Sequence, residues 1–255
     1  MSDATDHFAL FSGGHDSLVS THLCMERGRT DTVLHLDTGT GIPENEQFVR
    51  DVCDRHNWPL RVETPNKSLK EFALEWGFPG SAAHGWAYRY FKAHSLQRVA
   101  ADCDGTPHYH TGVRKSESER RMRTVDAETT EDATGRWFWH APIAELSKQD
   151  CLDYIDSHDL PRNPVVENIH RSGECYCGAF ANRDEELVEL QAHYPEHYEW
   201  LMDIEQQVQD EIGTDSGHCF WGHSEMPSEE LRALIAEHDD AQMVLCQDCE
   251  VNHDD

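Results

Sequence analysis

Through the first two-thirds of the chain, short apolar runs alternate with amphipathic stretches. Phe8–Phe11, Val33–Leu36 and Leu60–Val62 have the length and residue content of strands buried on both faces, and the intervening Ser17–Arg27 and Glu44–Asn57 carry helical spacing. Strand, helix, strand in that order predicts a parallel sheet covered by helices on both faces. His108–Thr111 and Phe138–Ala141 read as further strands, with Tyr88–Ala101 and Ser147–Ser157 as helices; Ser147 followed by Asp150 marks a helix start. From about Asp184 the spacing is helical only, through Leu187, Leu190, Tyr194, Tyr198, Leu201, Ile204, Val208 and Ile212, with Pro195 opening one helix. The expected fold class is α/β, an open parallel sheet with helices on both faces, followed by a mostly helical, cysteine-rich C-terminal module. The boundary is expected between 1–165 and 166–255.

Charge changes the picture next. Forty-nine Asp and Glu against 21 Lys and Arg give a net charge of −28, spread along all 255 residues. Apolar residues still recur at regular spacing, so the charge reads as a surface adapted to high salt rather than as disorder. Such a surface excludes non-specific binding of duplex nucleic acid, which needs a basic footprint. No window approaches the roughly 20 apolar residues of a membrane span, and the N-terminal stretch has no signal-peptide pattern. A cytoplasmic protein is expected, and its nine cysteines are then poor candidates for disulfides.

SGGHDS, residues 12–17, stands between a predicted buried strand and a predicted helix. A glycine pair there lets the backbone turn tightly and leaves N–H groups pointing outward at the positive end of the helix dipole, a nest for phosphate. Ser12 and Ser17 add hydroxyls, Gly13 and Gly14 the turn, and His15 a ring at the variable position; Asp16 is placed to hold the loop or to reach a metal on the phosphates. Neither the Walker nor the dinucleotide glycine pattern is present. Asp37, Thr38 and Gly39 end the second predicted strand, where ligands of open α/β sheets bind. Asp37 has three readings open to it: accepting from a ribose hydroxyl or an adenine amino group, coordinating Mg²⁺, or capping the next turn. Arg114, Lys115, Arg120, Arg121 and Arg123 form a basic cluster in an acidic chain, suited to gripping an anion in a fork, with a solvated helix face as the alternative.

These stretches resemble a known family. SGGHDS looks like the SGGxDS pyrophosphate loop of the PP-loop ATP pyrophosphatases, and four others narrow the resemblance to the phosphoadenosine phosphosulfate (PAPS) reductase-like branch. They are LHLDTGTGIPEN (34–45), GVRKSESERR (112–121), HAPIAELSKQDCLDYIDSHDLPRNPV (140–165) and HRSGECYCGAF (170–180). The resemblance implies an adenine nucleotide alpha hydrolase-like fold. It also implies an adenine-nucleotide site made by Ser12, Gly13, Gly14, His15, Asp16, Ser17, Asp37, Thr38, Gly39, Arg114 and Arg121, with Asp16 and Arg114 in the chemistry. ATP and Mg²⁺ are the implied cofactors, and a sulfur-donor protein and a second copy of the chain are admissible partners.

The chain also departs from its relatives. Sulfonucleotide reductases carry degenerate phosphate loops, whereas this loop is intact and favours ATP. Their C-terminal Glu-Cys-Gly-Leu-His has only Gln247-Asp-Cys249-Glu as a counterpart, and the adjacent cysteine pair of the cluster-containing reductases is replaced by GWAYRYFKAHSL. The expected activity is therefore adenylation of an acceptor with release of pyrophosphate, in sulfur transfer. Sulfite-releasing reduction of PAPS or adenosine phosphosulfate (APS) is the first alternative, and a non-catalytic nucleotide-binding subunit the second. Cys175, Cys177, Cys246 and Cys249 form two close pairs that suit a zinc or iron-sulfur site, a redox pair or simple packing. Cys219, between His218 and His223, is a candidate nucleophile.

Overall fold

The computed structural model describes residues 6–116, 130–131 and 134–223. Strands β1 (His7–Leu10), β2 (Thr32–Leu36), β3 (Leu60–Glu63), β4 (His108–His110) and β6 (Phe138–His140) lie parallel. A two-residue β5 (Thr130–Glu131), with no sequence signal of its own, pairs antiparallel with β6 at the edge. The order across the sheet is β3-β2-β1-β4-β6-β5. Ala9 faces Val33 on one side and His110 on the other, and Tyr109 pairs with Trp139.

Alternation along each strand sends two sets of side chains to opposite faces. Phe8, Leu10, Leu34, Leu36, Tyr109 and Trp139 pack with Leu96 and Val99 of α5 (His94–Asp102). Phe11 and Val33 pack on the other face with Leu18 and Val19 of α1 (His15–Glu26), Val49 and Val52 of α2 (Pro43–His56), and Ile155 of α6 (Lys148–Ser157). Both faces are thus covered, as an all-but-parallel sheet requires. Side-chain alternation also sends His7, His108, His110 and His140 to that second side. Ring centroids lie 4.4 Å apart for His7 and His108 and 4.5 Å for His110 and His140. Burial, with neighbouring imidazoles adding to it, pushes His108 down to about 4 and His110 to about 3, so both rings are neutral at pH 7.

Two helices depart from the sequence expectation. The stretch read as one helix over Tyr88–Ala101 is helical throughout but not α throughout: α4 (His84–Tyr88) passes through a π turn at Arg89–Ala93 before α5 begins. Lys92 lies in that widened turn, buried, 3.2 Å from the buried carboxylate of Glu174. An unanticipated α3 (Leu69–Trp76) starts at a capping box in which Ser68 Oγ accepts from Glu71 N and the Glu71 carboxylate accepts from Ser68 N.

After α6 come α7 (Pro164–Ile169), α8 (Arg183–His193) and α9 (Pro195–Ile212), the last opened by Pro195 as expected. Leu201, Ile204 and Val208 of α9 share one apolar cluster with Leu69 and Phe72 of α3, Val165 and Trp221, so that cluster is continuous across residue 165. Arg183 adds a bidentate ion pair to Glu205, at 2.6 and 2.8 Å. Among the described residues no helix is long and apolar enough to cross a membrane.

Candidate functional site

The chain enters the sheet at its centre, builds outward through β2 and β3, and returns to the other side of β1 as β4. Strand order therefore reverses between β1 and β4, and the crevice beyond their carboxyl ends is where an open sheet receives a ligand. The Ser12–Ser17 loop follows β1 and Gly112–Ser116 follows β4. They touch: a Cβ on Gly112 would lie 2.7 Å from Ser17 N, so only glycine lets the β4 tail cross the start of α1 this closely.

Within the loop, Gly13 adopts φ +89°, and a Cβ there would lie 2.3 Å from Asn45 Oδ1. The loop's carbonyls are pinned from behind. Ser12 O accepts from Asn45 Nδ2 at 2.9 Å and from Ser172 Oγ at 3.2 Å, and Gly13 O accepts from Asn163 Nδ2 at 2.9 Å. Asn163 uses both ends of its amide, because its Oδ1 also accepts from Val165 N at 2.9 Å and so caps α7. Two of the loop's N–H groups have hydroxyl acceptors inside it, since Ser12 N donates to Ser17 Oγ at 3.3 Å and Gly14 N to Ser12 Oγ at 3.5 Å. Gly14 caps α1 without any side-chain acceptor, so the first turn of a 12-residue helix presents uncapped N–H groups beside the loop. Ser17 Oγ donates to Gly14 O at 2.9 Å and stands 3.0 Å from Ser12 Oγ.

Among the described residues of the basic cluster, Arg114 is the one delivered to this loop. Its Nε donates to Asp16 Oδ2 at 2.7 Å and one terminal nitrogen to Ser116 Oγ at 3.0 Å, with the side chain 8% exposed. Asp16 thus orients the guanidinium at the loop's edge. Lys115 instead points to the surface and pairs with Glu145. His15 is neutral at pH 7, its pKa lowered by burial, and its Nε2 stands 3.4 Å from Glu167 Oε1.

Beyond β2, Asp37 Oδ1 accepts from Gly39 N at 2.8 Å. Thr38 is fully buried and its hydroxyl donates to Glu174 O at 2.8 Å; Tyr176 N donates to Thr40 Oγ1 and Ile42 N to Gly173 O. The Gly173–Tyr176 segment thereby braces the β2 turn, and is itself anchored by Arg171, which bonds Cys175 O at 2.9 Å and pairs with the buried Glu186 of α8 at 2.7 Å. Above the turn is a cleft of about 430 Å³ lined by Asp37, Gly39, Asn45 and Glu174 on one side and by His197 and Trp200 of α9 on the other. His35, on its floor, is buried and donates from Nδ1 to Phe11 O at 2.8 Å.

The structure brings together Ser12, Gly13, Gly14, His15, Asp16, Ser17 and Arg114, and places Asp37 and Gly39 in the adjoining cleft. Arg120, Arg121, Arg123, Cys246 and Cys249 lie outside the described residues. Cys175 and Cys177 are buried, and Cys175 Sγ accepts from Thr40 Oγ1 at 3.5 Å. Among the described residues no three His, Cys, Asp or Glu side chains are grouped to hold a metal ion. Cys219 is fully buried in the cluster beneath α9, and its thiol donates to Ser216 O at 2.6 Å. Three residues with clear work in the loop were not singled out in the sequence: Asn45, Asn163 and Ser172. Each falls inside a motif stretch, as Pro-Glu-Asn, Asn-Pro and Arg-Ser, and that was their only signal.

Residues 6–177 match the phosphoadenosine phosphosulfate reductase domain family. The phosphoadenosine 5'-phosphosulfate reductase of Xylella fastidiosa (strain M23) is 28% identical over 170 residues, covering 64% of this chain and 68% of its own length. That of Xanthomonas axonopodis pv. citri (strain 306) is 28% identical over 160 residues, covering 61% and 64%. Among solved structures, the phosphoadenylyl-sulfate reductase from Candida auris in its phosphate complex aligns with a TM-score of 0.49 and 17% identity, over 64% of this chain and 77% of that one.

Proposed function

Because the chain belongs to the phosphoadenosine phosphosulfate reductase domain family, we propose that its loop and cleft bind an adenine nucleotide, and that the nucleotide is ATP, cleaved between the α- and β-phosphates. An acceptor oxygen attacks the α-phosphorus, the bond to the bridging oxygen breaks, and pyrophosphate leaves. The adenylated acceptor is then open to displacement of AMP by a sulfur nucleophile. The observation that supports this reading is the intact SGGHDS loop at the start of α1, its Ser12 and Gly13 carbonyls held by Asn45, Asn163 and Ser172 and its edge faced by Arg114 through Asp16.

In this scheme the loop N–H groups and Arg114 stabilise charge developing on the departing pyrophosphate, an electrostatic and positioning role rather than acid-base chemistry. Asp16 is a positioning residue through Arg114. Mg²⁺ would neutralise the phosphates when bound, and Asp16 is the loop carboxylate that would reach it.

A second reading, reduction of a sulfonucleotide with release of sulfite, is favoured by the names of the relatives. Incubation with Mg²⁺ and ATP at high salt, followed by assay of AMP and pyrophosphate, separates the two. Pyrophosphate formation supports adenylation. Thiol-dependent sulfite release from PAPS or APS, with no pyrophosphate from ATP, assigns the chain to the second reading.

A further inference from the structure

We propose that α9 supplies the base-binding wall of this site: the cleft takes a planar purine ring against the Trp200–His197 pair, while the phosphates of the same nucleotide lie on the Ser12–Ser17 loop. The inference rests on the nucleotide reading above and applies to either of its two reactions. The wall falls beyond residue 177, where the family match ends, so it belongs to this chain's own C-terminal helices.

Four observations carry it. Asn45 lines the cleft and at the same time donates to Ser12 O, so the cleft adjoins the phosphate loop. Trp200 is 37% exposed at the cleft, and its ring stacks on His197 with centroids 4.9 Å apart and planes 27° from parallel. His197 is in turn fixed edge-on against Tyr176, whose backbone is tied to the β2 turn. The platform is therefore built before any ligand arrives. Finally, His197 is 7% exposed, its Nε2 is buried with no hydrogen-bond partner among the described residues, and burial holds it well below the usual histidine range. It presents a neutral ring at pH 7, suited to stacking rather than to holding an anion.

The charge around the ring agrees. Asp37, Glu46, Glu174 and Glu196 line the cleft, which repels phosphate and sulfate but offers acceptors to an exocyclic amine and to ribose hydroxyls. A volume of about 430 Å³ accommodates a nucleoside.

The test compares Mg²⁺–ATP with Mg²⁺–tripolyphosphate, which has no base, by calorimetry on the full chain at high salt. Trp200→Ala is expected to weaken ATP roughly 5- to 150-fold, the range for loss of one base–aromatic stack. Trp200→Phe should restore most of that loss, and tripolyphosphate should bind all three proteins alike, which also reports that each variant is folded. Unchanged ATP affinity in Trp200→Ala overturns the inference, as does wild-type protein that binds ATP no more tightly than tripolyphosphate. Wild-type protein that binds neither ligand, and neither PAPS nor APS, removes the nucleotide reading itself, and the inference with it.

Discussion

Asn163 donates its side-chain amide to Asn45 Oδ1 at 2.8 Å, joining residues 118 positions apart, and the same nitrogen reaches the Gly13 carbonyl. Asn45 passes the restraint on to Ser12 O. Two amides in series thus fix the orientation of the loop's peptide planes. Only a side chain with an acceptor at one end and a donor at the other can cap α7 and hold the loop at once.

Asn163→Asp isolates that role, since the carboxylate still caps α7 but sets oxygen against Gly13 O and Asn45 Oδ1. We expect a loss of about 1–3 kcal/mol in folding stability, from buried groups left without partners, and weaker ATP binding. Urea denaturation and ATP titration check it; a variant equal to wild type in both would remove the amide relay from the account.

The two loop glycines should differ. Gly13 sits at φ +89° with Asn45 in the space a Cβ would occupy, whereas a Cβ on Gly14 would make ordinary contacts at 3.6 Å with Ser12 and Ser172. Gly13→Ala is expected to introduce about 1–3 kcal/mol of strain and to displace Asn45. Gly14→Ala should be tolerated in the fold. Thermal melts of the two variants, side by side, read the difference.

Arg114 and Lys115 are neighbours with opposite expectations. Arg114→Ala should weaken nucleotide binding by about 1.5–3 kcal/mol, the range for a hydrogen bond to a charged group, and Arg114→Lys should not restore it, because the Nε contact to Asp16 is lost. Lys115→Ala should change little, since its partner Glu145 is on the surface. Equal losses at the two positions would point to a general basic patch.

Much of this was legible in the sequence, for local reasons. β1 and β2 are short apolar runs of the kind a buried strand makes, and Ser147 with Asp150 forms the capping box its spacing announced; β3, read as buried on both faces, is partly exposed at the sheet edge. α3 carried a similar cap at Ser68 and Glu71, but eight residues make little periodicity. The π turn gave no sign in the sequence, and the partner of the Lys92 it carries, Glu174, is 82 positions away. The same holds for the amide relay and for the α9 wall: Trp200 and His197 gain meaning only once α9 is folded over the β2 turn.

Acid should loosen the protein through its stacked imidazoles. Folding lowers the pKa of His108 to about 4 and of His110 to about 3 from an ordinary 6.5, so the unfolded chain takes up protons first. Their contribution is whole above pH 6.5 and declines as pH falls toward 3. Asp6 and Asp31 favour the charged form of the adjoining His7, and Arg29 opposes that of His110. Urea midpoints at pH 7.5, 6.5 and 5.5 should fall in wild type and fall less steeply in His110→Gln; parallel slopes would contradict the assignment.

The central claim is that the Ser12–Ser17 loop holds the pyrophosphate portion of ATP. Its most direct test is a competition titration, with Mg²⁺–ATP bound to the full chain at high salt and inorganic pyrophosphate added as displacer. The account predicts one ATP per chain, competitive displacement by pyrophosphate, and loss of both ligands in Gly13→Ala. ATP that stays bound at saturating pyrophosphate, or a folded Gly13→Ala variant with undiminished affinity for both, would contradict it.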